Sequence, residues 1–295
     1  PYQQTLHHGE AIRILTGAPL PQGAAWVLPQ ELVANQNSTI RLVRDASSNP
    51  WIRPADEECS QGSLLLAPGE RLGVADIGRA SSCGISHVNV HRRPRIGVLV
   101  TGDELVPPGE ERSHGAIWES NSTLIRGMLE RLGYPAVDCR LVADECHLLK
   151  QAILDLAASC DVIVSTGGVS AGDSDWIRPL MQKLGQVEFW KLFLKPGRPF
   201  AFGWIGDAVP FFGLPGNPVA ATITALQLLW PALQILEGQQ NPELLPRVHV
   251  RLATPYRGKP GRPELARASL DCSPDGQLLA RIDGSQASSR IGSLQ

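Results

Sequence analysis

The residues best suited to chemistry are small and gathered into loops. Ser165, Thr166, Gly167, Gly168 and Ser170 follow directly on the apolar run Val162, Ile163 and Val164, which opens at Asp161. Glycines without a Cβ let main-chain N–H groups point at a ligand, and flanking hydroxyls add donors, a combination that suits phosphate. The same composition also makes an ordinary tight turn, so this loop alone does not decide the matter. A second loop, Gly213-Leu214-Pro215-Gly216-Asn217-Pro218, places Asn217 at a helix cap and Pro218 in the first helical turn, where free amides and the helix dipole favour an anion. Capping accounts for Asn217 and Pro218 but not for the residues before them. A third, Thr101-Gly102-Asp103-Glu104, brings carboxylates, as do Asp144, Asp173 and Asp175. Several carboxylates beside a phosphate repel it, and the economical resolution is a divalent cation with oxygen ligands, namely magnesium. Competing readings are that Asp144 caps a helix and that Asp173 is merely solvated. Lys191, Lys195 and Arg198 lie in WKLFLKPGRPFAFG. On a strand, positions 191 and 195 share a side, so both ammonium groups would reach one anion pocket; the alternative is a solvated basic edge. No serine-histidine-acid set is legible, and His147 belongs on a helix surface, so the implied catalysis is electrostatic and metal-assisted rather than covalent.

These loops need a scaffold that puts them on one edge. Residues 96–100 read as a buried strand, 121–132 as a helix capped by Asn121 and stopped by Gly133, and 135–142 as a strand. The next helix starts at Asp144 with Leu148, Leu149, Ile153, Leu154 and Ala157 as its buried stripe. Then come a strand at 161–165, a helix at 175–184, strands at 187–194, 200–204 and 209–212, and a long buried helix at 218–236. Strands alternating with helices at this spacing predict an α/β fold: a doubly wound, mostly parallel sheet in a three-layer α/β/α domain, with ligands at the carboxyl ends of the strands. The flanks are expected to be smaller and β-rich. Residues 11–15, 26–28 and 38–43 read as short strands, and 74–81 as a short helix ending at Gly84. The basic, proline-bearing stretch from His91 to Pro94 marks a boundary. The expected domains are 1–60, a connecting segment at 61–92, the α/β domain at 93–240, and a small β domain at 241–295.

At 295 residues, two or three compact units are expected. A net charge of −2 argues against a nucleic-acid binder working by bulk electrostatics, and no apolar run approaches the ~18 residues that span a bilayer. Six scattered cysteines, with no zinc-site spacing, suit reduced thiols in a cytosol. The chain begins at Pro1 rather than methionine and is expected to be a fragment.

With TGDEL at 101–105, STGGVSAGDSDW at 165–176, FWKLFLKPGRPFAFG at 189–203, GLPGNPVAA at 213–221 and AIRILTGAPLPQGA at 11–24, the chain resembles the molybdopterin molybdenumtransferases, relatives of gephyrin. The resemblance implies an enzyme that takes adenylylated molybdopterin and molybdate, cleaves the phosphoanhydride with Mg2+, and releases molybdenum cofactor and AMP. It implies a molybdopterin-binding domain at 93–240. Glu104, Asp144 and Asp175 then look like metal-site or catalytic carboxylates, and Lys191 and Lys195 like the molybdate side. Thr101, Gly102, Asp103, Gly167, Gly168, Ser170, Arg198, Pro215, Gly216, Asn217 and Pro218 would bind the pterin nucleotide, with Thr16 supplied by the second subunit of a homodimer. A cytoplasmic location, molybdopterin adenylyltransferase and molybdoenzyme apoproteins as partners, and no nucleic acid or membrane complete the expectation. The chain departs from the family pattern at 52–62, where Asp56 and Glu58 replace a Gly-x-Asp motif, in the absence of the family's first segment, and in a shortened last domain. Two alternatives stay open: a catalytically impaired pterin-binding scaffold, and a molybdopterin adenylyltransferase, against which the flanking β domains argue.

Overall fold

A computed structural model describes residues 3–135, 137–169, 175–258, 260–282 and 284–294. By contacts the chain divides into two compact units, Pro1–Ala67 and Pro68–Gln295.

The regular structure described in the first unit is a 3-10 turn, Gln30–Leu32, and a hairpin of β1 (Val33–Gln36) and β2 (Thr39–Leu42). The two strands are antiparallel, with Val33 opposite Leu42, and Asn37 takes φ 57 in the two-residue turn. The strand expected at 38–43 is β2. Those expected at 11–15 and 26–28 are not strands: both segments run as irregular chain, and Leu15 is 73% exposed. An alternating apolar pattern becomes a strand only where a neighbour supplies the ladder, and here none does.

The second unit opens with α1 (Val74–Ser82), where the Gly73 N–H donates to Asp76 Oδ2 at 2.8 Å. In chain order there follow β3 (Ile96–Thr101), β4 (Leu105–Val106), β5 (Ile117–Trp118), α2 (Asn121–Arg131), β6 (Val137–Val142), α3 (Cys146–Ser159), β7 (Val162–Thr166), α4 (Ile177–Leu184), β8 (Gly185–Trp190), β9 (Ala201–Ile205) and β10 (Val209–Leu214). A continuous helix comes next: α5 (Pro218–Thr224), a π turn at Ala225–Leu229, and α6 (Trp230–Leu236). A small sheet of β11 (Arg251–Leu252), β12 (Ser269–Cys272) and β13 (Leu278–Arg281) ends the unit with a 3-10 turn, Ile291–Leu294.

The central sheet runs β6-β3-β7-β10-β9-β8. Its first four strands are parallel, β9 is antiparallel to β10, and β8 is antiparallel to β9, so that β9 alone is reversed in this sheet. From β3 the chain crosses outward to β6 through α2, then returns through α3 to β7 on the other side of β3. Winding therefore reverses between β3 and β7, and that switch point is where α/β sheets bind ligands. Alternation along the strands divides the core. Ile96, Val98, Val100, Val162 and Val164 face Ile125 and Leu129 of α2 and Leu233 of α6. Leu99 and Ile163 face Leu149, Ile153 and Leu156 of α3 and Ile177 and Met181 of α4. Gly97 lets α3 come close, since a Cβ there would stand 2.9 Å from Leu156 Cδ2. At the amino end of β7, Asp161 accepts hydrogen bonds from Arg92 Nη2 and the Arg95 N–H, both at 2.7 Å. This contact holds its carboxyl well below the usual range, the Arg92 hydrogen bond being the main cause.

Four local expectations change. The buried stripe of α3 is Leu149, Ala152, Ile153 and Leu156, while Leu148 and Leu154 are each 40% exposed. The helix starts at Cys146 with Glu145 as N-cap, so Asp144 is not the cap, and spacing of 3, 4 and 7 from Leu149 sets the stripe. Asn121 does not cap α2 either, because Ser120 holds the N-cap position. The strand expected at 187–194 ends at Trp190, since Lys191 takes φ 85 and turns the chain. Leu156→Ala is expected to cost about 2–5 kcal/mol in urea unfolding, as a fully buried leucine does. Leu154→Ala should stay within about 0.5 kcal/mol of wild type.

Candidate functional site

β3, β7 and β10 end side by side, and the loops after β7 and β10 are joined by one side chain. Asn121, 8% exposed, donates from Nδ2 to Thr166 Oγ1 at 2.7 Å and to the Gly216 carbonyl at 2.8 Å. Thr166 Oγ1 donates in turn to the Pro215 carbonyl at 3.2 Å. Glycine is required in between. Gly167 has φ 92, and a Cβ there would lie 2.3 Å from the Thr101 carbonyl oxygen; Gly168 has φ 64 and sits over Ile177. Gly167 Cα is 3.6 Å from where a Gly216 Cβ would stand, so two of the three loops are in van der Waals contact.

These loops wall a cleft of about 810 Å³. Of the residues singled out in the sequence, Thr101, Glu104, Gly167, Gly168, Lys195, Arg198, Pro215, Gly216, Asn217 and Pro218 line it. Asn217 holds the N-cap position with Pro218 after it, but its side chain makes no capping hydrogen bond. The Val219 amide of that helix start donates to the Ser288 carbonyl at 3.0 Å. Lys191 is exposed and outside the wall: its N–H donates to the Phe200 carbonyl at 2.8 Å, below the turn that carries Lys195. Lys191 and Lys195 are thus not on one strand, and the shared side expected for them is absent. Thr16 lies in a turn of the first unit. Ser170 and Asp173 lie outside the described residues.

The carboxylates divide by partner. The Asp144 amide donates to Asp103 Oδ1 at 3.0 Å, and the Thr101 hydroxyl donates to the Asp144 carboxylate. Thr101, Gly102, Asp103 and Asp144 therefore form one tied corner. Asp175 differs, since both its carboxylate oxygens are buried without a hydrogen-bond partner. Burial first, then the charge of Asp144, push its pKa up to about 6, and the nearby Ile177 amide offsets only part of this. No group of three or more His, Cys, Asp or Glu side chains placed to hold a metal occurs among the described residues, so Glu104 is not gathered with Asp144 and Asp175.

Sequence reasoning missed one wall of the cleft, contributed by the C-terminal segment through Arg262, Glu264, Arg267 and Ser288. A signal was there. KPGRP occurs twice, at 195–199 and 259–263, and the two stretches meet: the Lys195 N–H donates to the Pro263 carbonyl at 3.0 Å, and the Leu265 N–H to the Lys195 carbonyl at 2.8 Å. Also missed was Glu119, 5% exposed, which accepts from the Ser122 N–H at 2.8 Å and so caps α2 in Asn121's stead.

A doubly wound α/β domain with a glycine-walled cleft at its switch point has the architecture of the nucleotide-binding class, here with β-rich flanks. Residues 97–235 match the family described as "Probable molybdopterin binding domain", and residues 1–84 match the "MoeA N-terminal region (domain I and II)". The chain is 34% identical over 289 residues to the molybdopterin molybdenumtransferase of Haemophilus influenzae, covering 98% of this chain and 71% of that one. It is 28% identical to gephyrin of Dictyostelium discoideum, covering 96% of this chain but 44% of that protein. The crystal structure of the molybdopterin biosynthesis moeA protein of Pyrococcus horikoshii superposes with a TM-score of 0.77 at 26% identity, over 99% of this chain and 70% of that one. The chain belongs to the molybdopterin molybdenumtransferase family, transferases of molybdenum cofactor synthesis.

The raised pKa of Asp175 has a thermodynamic sign. The folded state holds this proton more tightly than the unfolded chain does, so stability falls as pH rises from about 4 to about 6 and the penalty is complete above that. In metal-free buffer, Asp175→Asn should therefore unfold at higher urea than wild type at pH 7.5. The gap should close at pH 4, as read by fluorescence.

Proposed function

We propose that this chain transfers molybdenum from molybdate to adenylylated molybdopterin, releasing molybdenum cofactor and AMP. The observation that carries the reading is a single cleft offering both the Gly167–Gly168 loop and the cations Lys195 and Arg198. A substrate with a phosphoanhydride at one end, reacting with a dianionic oxyanion, needs both sets of groups within reach. Backbone amides around Gly167 and Gly168 bind and orient the phosphates, where any side chain would collide with Thr101 or Ile177. Lys195 and Arg198 hold the oxyanion, and the apolar and proline-rich wall excludes water from the reacting bond.

The donor set fits a hard divalent cation. Asp175 presents two buried, unpartnered oxygens beside Asp144, an arrangement costly without a positive charge. Asp175 and Asp144 would hold Mg2+, which when bound neutralises charge developing on the phosphoanhydride. Asp103, through the Asp144 amide, and Thr101, through the Asp144 carboxylate, would hold that residue in place for it. The reading extends to a cytoplasmic homodimer that receives its substrate from a molybdopterin adenylyltransferase and passes product to molybdoenzyme apoproteins.

AMP release is the direct test. Purified protein with adenylylated molybdopterin and Mg2+ should release AMP when molybdate is added, and Asp175→Asn should lower that rate by roughly 10²-fold or more, as loss of one group of an electrostatic site does. Tight binding of the nucleotide with no molybdate-dependent release would leave a pterin-binding scaffold instead.

A further inference from the structure

The ammonium group that the proposed function gives to the oxyanion already has an anion. Lys195 Nζ lies 2.7 Å from Glu264 Oε1, with the lysine side chain 47% exposed and the glutamate 17% exposed. This is not a loose surface pair. The two residues form a parallel β-bridge, and the backbone hydrogen bonds from Lys195 to Pro263 and from Leu265 to Lys195 flank the carboxylate on both sides. The segment is anchored further along, where the Arg267 N–H donates to Gln286 Oε1 at 2.8 Å and its guanidinium to Ser293 Oγ and the Ala287 carbonyl, at 2.8 and 2.9 Å. The backbone that carries Glu264 is therefore held beside Lys195.

From this geometry we propose that Glu264 is a built-in competitor for the oxyanion at Lys195 and so sets the affinity of the cleft for anions. The inference rests on the assignment of Lys195 to the oxyanion made above. Glu264 acts on Lys195 in two opposed ways. Its hydrogen bond fixes a flexible side chain at the cleft wall, which favours anion binding. Its charge competes for the same N–H donors and repels a second anion beside them, which opposes it. At a half-exposed lysine one fixed hydrogen bond recovers only part of the side-chain entropy, whereas two negative charges sharing one ammonium repel across a few ångströms, so the competition prevails. By reciprocity, an anion that enters loosens the C-terminal wall from the cleft.

Glutamine separates the two effects, because it keeps the acceptor and removes the charge. With sodium molybdate as probe, calorimetric titration at fixed ionic strength should show Glu264→Gln binding about five- to tenfold tighter than wild type, toward the low end of measured couplings between ligands because the lysine is half exposed. Lys195→Ala should bind at least about tenfold more weakly than wild type. In the double variant the gain from Glu264→Gln should vanish, and unfolding midpoints within a few degrees of wild type would show that the fold is retained. If Lys195→Ala weakens binding but Glu264→Gln leaves it unchanged or weaker, the competitor assignment is overturned and the site reading stands. A gain from Glu264→Gln that persists in the Lys195→Ala background also overturns it, since the carboxylate would then act as general charge. If Lys195→Ala binds as wild type does, both readings fall together.

Discussion

Everything at the site depends on how closely two strand-end loops approach. The Gly167 Cα stands against the Thr101 carbonyl so tightly that a methyl group would lie 2.3 Å from that oxygen. This contact exists because β3 and β7 are parallel neighbours in register, Val100 opposite Thr166, so that both chains leave the sheet at the same height. It also requires positive φ at both Gly167 and Gly168, which only glycine adopts without strain. The consequence is two consecutive positions that carry no side chain, at the place where the winding of the sheet reverses. Asn121 ties the loop after β10 to the end of β7, using both of its N–H donors, which explains why a buried amide stands at the first position of α2 while Glu119 does the capping.

The electrostatics follow from the same packing. Thr101 and Asp103 engage Asp144, which leaves Asp175 as the carboxylate whose oxygens are buried and unpaired. A folded protein keeps an unpaired carboxylate in that state at a cost in stability, and what it retains is a group ready for a cation or a proton. The cations sit on other elements: Lys195 and Arg198 on a turn beyond β8, Arg262 on the C-terminal segment. A binding surface assembled from separate elements keeps opposite charges apart before a ligand arrives, although Lys195 and Glu264 already pair.

How much of this was legible depends on how local the determining physics is. The β3 and β7 strands, α2, and the Gly167–Gly168 loop were readable because continuous β-branched runs, helical spacing and glycine pairs carry their own signal. The parallel order of the sheet followed from the alternation of elements. The strands expected at 11–15 and 26–28 failed because a strand is defined by its partner, which sequence does not display. The α3 stripe was misplaced because Leu148 and Leu154 are apolar residues that the protein leaves exposed, and apolarity bounds burial in one direction only. Asn121 and Asp144 look like caps in sequence, yet each has a long-range partner that outbids the local one.

The C-terminal wall shows the limit most clearly. Apart from the repeated KPGRP, residues 241–295 carry no pattern that points at the cleft, and the small sheet formed by β11, β12 and β13 gives the segment no fold signature of its own. What places it there is backbone pairing between two copies of one pentapeptide, the first closing the rim after β8 and the second bringing Arg262 and Glu264 to the same rim. The α/β domain therefore supplies the Gly167–Gly168 loop together with Lys195 and Arg198, and the returning segment adds Arg262, Glu264 and Arg267 to the same cleft. The sheet fixes one wall, and a segment held by a few hydrogen bonds and one ion pair forms the other.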